Sequence, residues 1–337
     1  IMNPDLTLMT SAKDEKTGTH YANADKNVSV TDTVTYTGLR KGQEYVMKGT
    51  LMDQETGEAL LDQEGKKITA LQKFIPKTAE GNVEIEFIFD GRPLAGKSIT
   101  IFEECFMENK QIAVHKDLND TNQMIHFPKL KTSAIDDRTE SNIIKAEKNM
   151  MITDTVEYHN LKKGKRYKIT GILMDKETGK SVNDSSGEKV TSNVEFTADE
   201  KDGVVEVKFI FDGSNLEGKT LVVFEHLYYG EKLYAVHADL EDTDQTMYVP
   251  SIETTALAGN TGTHHAFAEE RIEVTDTVKY KNLQPGEIYI LYGIVVEKET
   301  KEPVCEKKQI EFIPKKSEGN VEMTFEINGD ILAGKTI

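Results

Sequence analysis

Apolar and polar residues alternate along this chain with a period of two. In the stretch GNVEIEFIFDG, Val83, Ile85, Phe87 and Phe89 share one face, and Glu84 and Glu86 lie on the other. Such alternation is the signature of a half-buried β-strand. Turn chemistry punctuates the strand-like runs: Asp90-Gly91, Gly38 and Gly42, and Glu55-Thr56-Gly57 between two of them. No stretch carries an apolar stripe at helical spacing. Many short strands within about 120 residues predict an all-β protein built of immunoglobulin-like β-sandwiches.

The pattern is repeated. VTDTVTY at Val30–Tyr36 returns as ITDTVEY from Ile152 and VTDTVKY from Val274. EFIFDG at Glu86 returns as KFIFDG at Lys208 and FEING at Phe325, and LAGK at Leu94 as LEGK at Leu216 and LAGK at Leu332. Repeats one and two run in register, 122 residues apart (Val30 to Ile152), with no insertion. Repeat three loses six residues between Gly293 and Gly319, and the sequence given ends at Ile337. Internal repetition on this scale predicts a tandem array. Pro128 and Pro250 precede each new copy, where a residue unable to donate to a ladder belongs. The expected domains are 1–127, 128–249 and 250–337, the third ending before its last strands.

Several polar residues fall on faces that the alternation points inward. Leu8, Thr10 and Ala12 share a face, as do Leu130, Thr132, Ala134 and Ile252, Thr254, Ala256. Glu103 follows Ile99 and Ile101 on one side of its strand, as Glu225 follows Leu221 and Val223. A buried carboxyl is costly unless protonated or well hydrogen-bonded, so burial raises its pKa and makes it a candidate proton donor. Gln123 shares a face with Ile125 and Phe127, and Gln245 with Met247 and Val249. Upstream lie His115 and Asp120 in repeat one and His237 and Asp242 in repeat two, at identical spacing.

Composition narrows the classes of function. With 41 Lys and Arg against 58 Asp and Glu, the net charge of −17 repels nucleic-acid backbones and anionic membrane surfaces. The two cysteines, Cys105 and Cys305, fall at unrelated places and fit neither a disulfide framework nor a zinc site. No cofactor is expected. No signal peptide, membrane-spanning apolar run or sorting signal is evident, so the chain reads as an internal fragment.

The three motifs together resemble the repeat domains of Gram-positive surface adhesins that form an intramolecular Thr–Gln ester bond. The matching pieces are LMTSA, LKTSA and IETTA at the start of each copy, ITIFEE and LVVFEH in the middle, and HKDLNDTNQ and HADLEDTDQT at the end. The resemblance implies a cell-wall-anchored, extracellular stalk whose partners are neighbouring repeats, with a host-surface ligand held by a domain elsewhere. It implies bonds between Thr10 and Gln123 and between Thr132 and Gln245. It pairs Glu103 with Asp120, and Glu225 with Asp242, as carboxyls sharing a proton. His115 and His237 would assist proton transfer or hold the site. Repeat one has Met124 where repeat two has Thr246.

On the same basis Thr254 is an inward-facing nucleophile whose partner Gln is missing from the sequence given. It is expected to remain unlinked and to accept a peptide carrying the absent strands.

Two rival readings are open. One is a sandwich that binds a glycan or matrix protein through its loops. The absence of Trp and an aromatic content of 7% disfavour a stacking platform for sugars. The other is a Lys–Asn isopeptide domain, but Lys131 points away from the face of Thr132 and has no counterpart at Met9 or Glu253. An enzyme acting on outside substrates is not expected.

Overall fold

The computed structural model describes residues 6–337, and it is all-β, as the alternation predicts. The first repeat comprises β1 (Thr7–Asp14), β2 (Val28–Thr37), β3 (Tyr45–Asp53), β4 (Thr69–Phe74), β5 (Gly81–Phe89), β6 (Ser98–Met107), β7 (Lys110–His115) and β8 (Met124–His126). A three-stranded sheet in the order β1-β2-β5 faces a five-stranded sheet in the order β4-β3-β6-β7, with β8 also paired to β6. All of these pairings are antiparallel.

The second repeat follows the same plan with β9 (Lys129–Asp136), β10 (Met150–His159), β11 (Arg166–Asp175), β12 (Lys180–Ser181), β13 (Thr191–Thr197), β14 (Gly203–Phe211), β15 (Thr220–Tyr229), β16 (Lys232–His237) and β17 (Thr246–Tyr248). The third has β18 (Ser251–Ala258), β19 (Ile272–Lys281), β20 (Tyr289–Gly293), β21 (Lys308–Phe312) and β22 (Gly319–Ile327). Its first sheet, β18-β19-β22, is complete. Its second has two strands among the described residues, β20 and β21.

Burial follows the period of two. Along β1, Leu8, Thr10, Ala12 and Asp14 are buried and the intervening residues exposed. The core of repeat one is built from Met47, Leu51, Ile85, Phe87, Ile99, Ile101, Ile125 and Phe127, all but completely enclosed. Each such side chain contributes about 1.5–3 kcal/mol of transfer free energy, so the two sheets are held face to face without a disulfide. Both cysteines are free: Cys105 is buried, its thiol pushed up to about 11 by desolvation, and Cys305 is half-buried.

Candidate functional site

The two ends of each complete repeat meet at one place in the core. The backbone N–H of Ala12 in β1 donates to the carbonyl of Asn122 at 2.8 Å, and Ala134 does the same to Asp244 at 2.9 Å. This contact holds the first strand against the loop that delivers Gln123 or Gln245. Thr10 lies two residues from Ala12 on the same buried face, and both glutamines are fully enclosed. Thr10 belongs to one sheet, while Gln123 immediately precedes β8, which pairs with the other. The site therefore spans the sandwich.

Glu103 enters from the second sheet. In the ladders it lies directly opposite Gly49 on β3 and His115 on β7, and Glu225 likewise opposite Gly171 and His237. The glycine has a steric reason. A Cβ at Gly49 would stand 2.5 Å from Phe87 Cζ, and one at Gly171 2.5 Å from Phe209 Cζ. The missing side chain lets a phenyl ring close over the strand beside the carboxyl, which keeps water out. Gln123 Nε2 donates to Glu103 Oε1 at 2.6 Å.

The structure adds a residue that the sequence reading passed over. Asp32, on β2 opposite Ala12, is fully buried, as is its counterpart Asp154 opposite Ala134. Burial is the main cause that raises the pKa of Glu103, followed by the negative charge of Asp32; Glu225 is raised by burial and then by Asp154. Burial likewise raises Asp32 and Asp154. Two carboxyls confined together in a dry site do not readily both ionise, so burial and mutual repulsion favour a protonated member in each pair. In repeat two the glutamine amide turns to the other member of the pair, with Gln245 Nε2 donating to Asp154 Oδ1 at 3.0 Å. The Thr132 hydroxyl is close enough to Glu225 to favour its charged form, short of a well-formed hydrogen bond.

The expected carboxyl pairing is thereby corrected. Glu103 shares its environment first with Asp32, and Glu225 with Asp154. Asp120 and Asp242 are instead partners of the histidines: His115 Nε2 to Asp120 Oδ2 is 3.1 Å, and His237 Nε2 to Asp242 Oδ2 is 2.8 Å. These dyads are part-exposed at the rim, and Asp120 still adds a smaller upward push on Glu103. The physical reason is geometric. A carboxylate at the edge keeps water and a histidine ring beside it, whereas an aspartate at an inward position of a central strand has neither. The Met124-for-Thr246 difference is local: Thr246 Oγ1 donates to the Asp242 carbonyl at 2.7 Å, Met124 is buried, and both glutamines remain enclosed.

Buried polar atoms almost always find a partner. Among the described residues, the buried side-chain atoms without one are Thr10 Oγ1, both oxygens of Asp32, Glu103 Oε2 and Gln123 Oε1 in repeat one. In repeat two they are Thr132 Oγ1, Asp154 Oδ2, both oxygens of Glu225 and Gln245 Oε1. Only His20 Nδ1 and Asp276 Oδ1 join them. Asp276 is the third repeat's counterpart of Asp32. Among the described residues, the unpartnered buried polar atoms are thus concentrated at these sites.

In the third repeat, Thr254 takes the equivalent register position opposite Val278 but is exposed, as are Ile252 and Ala256. The expected inward-facing nucleophile is thus not buried: no described strand covers that face of β18. Asp276 keeps a raised pKa through burial. Counterparts of Glu103, His115, Asp120 and Gln123 are absent from the described residues.

A family model described as the T-Q ester bond containing domain matches the sequence three times, at residues 6–127, 128–249 and 250–337. None of the curated proteins matches significantly. Among solved structures, the chain is similar to a bacterial adhesin from Mobiluncus mulieris containing intramolecular disulfide, isopeptide and ester bond cross-links. The identity is 15%, over 76% of this chain and 88% of that one, with a TM-score of 0.31. It is also similar to the C-terminal domain of the Streptococcus pyogenes antigen I/II-family protein AspA, at 7% identity over 73% of this chain and 100% of that one, with a TM-score of 0.36. A glycosyl hydrolase family 2 member from Bacteroides cellulosilyticus matches at 7% identity over 69% of this chain and 28% of that one, with a TM-score of 0.27. At these identities and TM-scores none of the three bears on function.

Proposed function

The chain belongs to the family of T-Q ester bond containing domains, and from that premise we propose that each of its first two repeats closes itself with an ester between its first strand and the loop before its last. The observation that carries the proposal is the cluster of orphaned buried polar atoms on Thr10, Asp32, Glu103 and Gln123, repeated on Thr132, Asp154, Glu225 and Gln245.

The chemistry balances within the site. A hydroxyl needs a base to become a good nucleophile, and an amide needs an acid to lose its nitrogen. Thr10 Oγ1 forms a bond to Cδ of Gln123, the Cδ–Nε2 bond breaks, and ammonia leaves. The proton shared by Asp32 and Glu103 passes to the departing nitrogen, and the threonine proton passes to the carboxyl pair, which ends as it began. His115 with Asp120 holds the rim of the site and offers a route for protons to and from water. Repeat two acts in the same way through Thr132, Gln245, Asp154, Glu225, His237 and Asp242. This is a single-turnover reaction of the protein on itself, and no cofactor takes part.

The consequence is mechanical. An ester from Thr10 to Gln123 closes nearly a whole repeat into one loop, so tension applied through its two ends runs through covalent bonds instead of unzipping strands. We infer an extracellular role as the stalk of a bacterial cell-wall-anchored adhesin, with ligand recognition by a separate domain. Intact mass of the folded 337-residue chain tests the reading. The expected mass lies below the sequence mass by two ammonia molecules, one from each of repeats one and two and none from repeat three. An unmodified mass on folded protein would overturn it and leave a plain β-sandwich binding module.

A further inference from the structure

One position differs between repeats in a way that marks their junctions. Gly38, Asn160 and Asn282 are equivalent, each two residues past the tyrosine of the TDTVxY motif. All three have positive φ, of 83°, 65° and 61°. Only Gly, and less readily Asn, takes this left-handed conformation without large cost. The turn alone would be served best by Gly, so the asparagines call for a second reason.

The asparagine side chains reach into the preceding repeat. Asn160 is buried, and its Nδ2 donates to the Lys97 carbonyl at 2.7 Å, with Ser98 Oγ at 3.2 Å and the Phe127 carbonyl at 3.5 Å. Asn282 repeats this one junction later, donating to the carbonyls of Lys219 at 2.9 Å and Val249 at 3.1 Å, while Thr220 Oγ1 donates to its Oδ1 at 3.3 Å. The acceptors are equivalent residues of successive repeats. They already bind the end of the last strand, since the N–H of Phe127 donates to the Lys97 carbonyl and that of Val249 to the Lys219 carbonyl. Further contacts flank each clasp: Tyr21 stacks on Tyr234 with ring centroids 5.1 Å apart at the first junction, and Lys281 pairs with Glu177 at 2.7 Å at the second.

We propose that Asn160 and Asn282 are junction clasps, by which each repeat docks on the exit of the preceding repeat's last strand and fixes the angle between successive sandwiches. The partner surface is a pair of backbone carbonyls plus a hydroxyl, Ser98 or Thr220, offered by another copy of the same domain. Gly38 has no side chain with which to make this contact. The position matters for a stalk. Only eight residues separate Gln123 from Thr132, and the clasp ties the middle of that stretch, at Phe127, to the body of the next repeat. The clasp does not depend on the ester reading.

The test uses the full chain with Asn160→Gly, which keeps the left-handed turn and removes the donors, and Asn160→Asp, which keeps the shape but turns a carboxylate oxygen toward the carbonyls. Small-angle scattering is expected to show a broadened distance distribution for both variants. Trypsin cleavage after the exposed Lys129 is expected to accelerate by about tenfold, the effect of losing roughly one well-made buried hydrogen bond. The calorimetric transitions of the repeats are expected to stay in place. Scattering and cleavage identical to the parent in both variants would overturn the clasp. Loss of the transition of repeat two in both would overturn it as well, because the residue would then serve its own repeat's fold. Intact mass, measured in parallel, reports separately on the esters: an unmodified parent mass beside a loosened Asn160→Gly junction would sink the cross-link and leave the clasp standing.

Discussion

Replacing Thr132 with alanine is expected to remove one of the two ammonia losses, leave the other, and make the second repeat the first part of the complete sandwiches to melt. The lost hydroxyl is the nucleophile, and nothing else on the buried face of β9 can take its place, since Leu130 and Ala134 are its neighbours there. An ester from Thr132 to Gln245 would close a loop of more than a hundred residues. By analogy with a disulfide closing a loop of that size, its loss costs about 4–5 kcal/mol. For a domain of this length that corresponds to a fall of roughly 15–25 °C in midpoint. The first repeat, with Thr10 and Gln123 intact, should keep its own transition. Scanning calorimetry of the full chain distinguishes the two. Coincident transitions in Thr132→Ala, with one ammonia loss gone, would mean that the bond forms but does not carry stability.

Much of this architecture is legible without coordinates, because the inward face of a strand is written in its parity. Thr10, Thr132, Glu103, Glu225, Gln123 and Gln245 all stand at core parity, and the fold buries every one of them. Asp32 was equally visible in principle. Val30, Asp32, Val34 and Tyr36 alternate on one face of β2, and the aspartate recurs in all three copies. Its inward parity is masked by its place in the repeat marker TDTV, and the family resemblance implies Asp120 as the partner of Glu103 instead. The resemblance points to Asp120, whereas the register of β1 on β2 brings Asp32 opposite Ala12 and into the dry side of the site. Thr254 failed for the opposite reason. Parity fixes which way a side chain points, but burial requires something to cover it. The junction asparagines lay beyond reach of the pattern, because their partners are backbone carbonyls about 33 and 63 residues upstream. The hint was the exchange of Gly38 for Asn160 and Asn282 at one left-handed position.

The carboxyl pair makes the second large prediction. Glu225→Gln and Asp154→Asn should each leave repeat two folded and unlinked, because neither an amide–carboxyl nor a carboxyl–amide pair can pass one proton in and another out. General acid–base contributions of this kind are about 10²–10⁴ in rate, enough to leave free peptides containing Thr132 and Gln245 in a digest. Full cross-linking in Asp154→Asn would return the second carboxyl to Asp242. The unreacted site also has a pH signature, best seen in Thr132→Ala, where no ester can form and the pair persists. Glu225 has a folded pKa raised above its unfolded value, first by burial and then by the charge of Asp154. At pH values above the ordinary carboxylate range the folded state therefore binds more protons than the unfolded one, and stability falls as pH rises, by up to about 1.4 kcal/mol per pH unit for one proton. The stabilising protonated form is fully present below the ordinary glutamate pKa and is lost progressively above it. The calorimetric midpoint of repeat two in Thr132→Ala should accordingly drop between pH 5 and pH 8, while Thr132→Ala with Glu225→Gln should hold its midpoint far more nearly constant. A midpoint that climbs with pH in Thr132→Ala would mean that Glu225 sits ionised in the folded protein, and the proton shared with Asp154 would have to be abandoned.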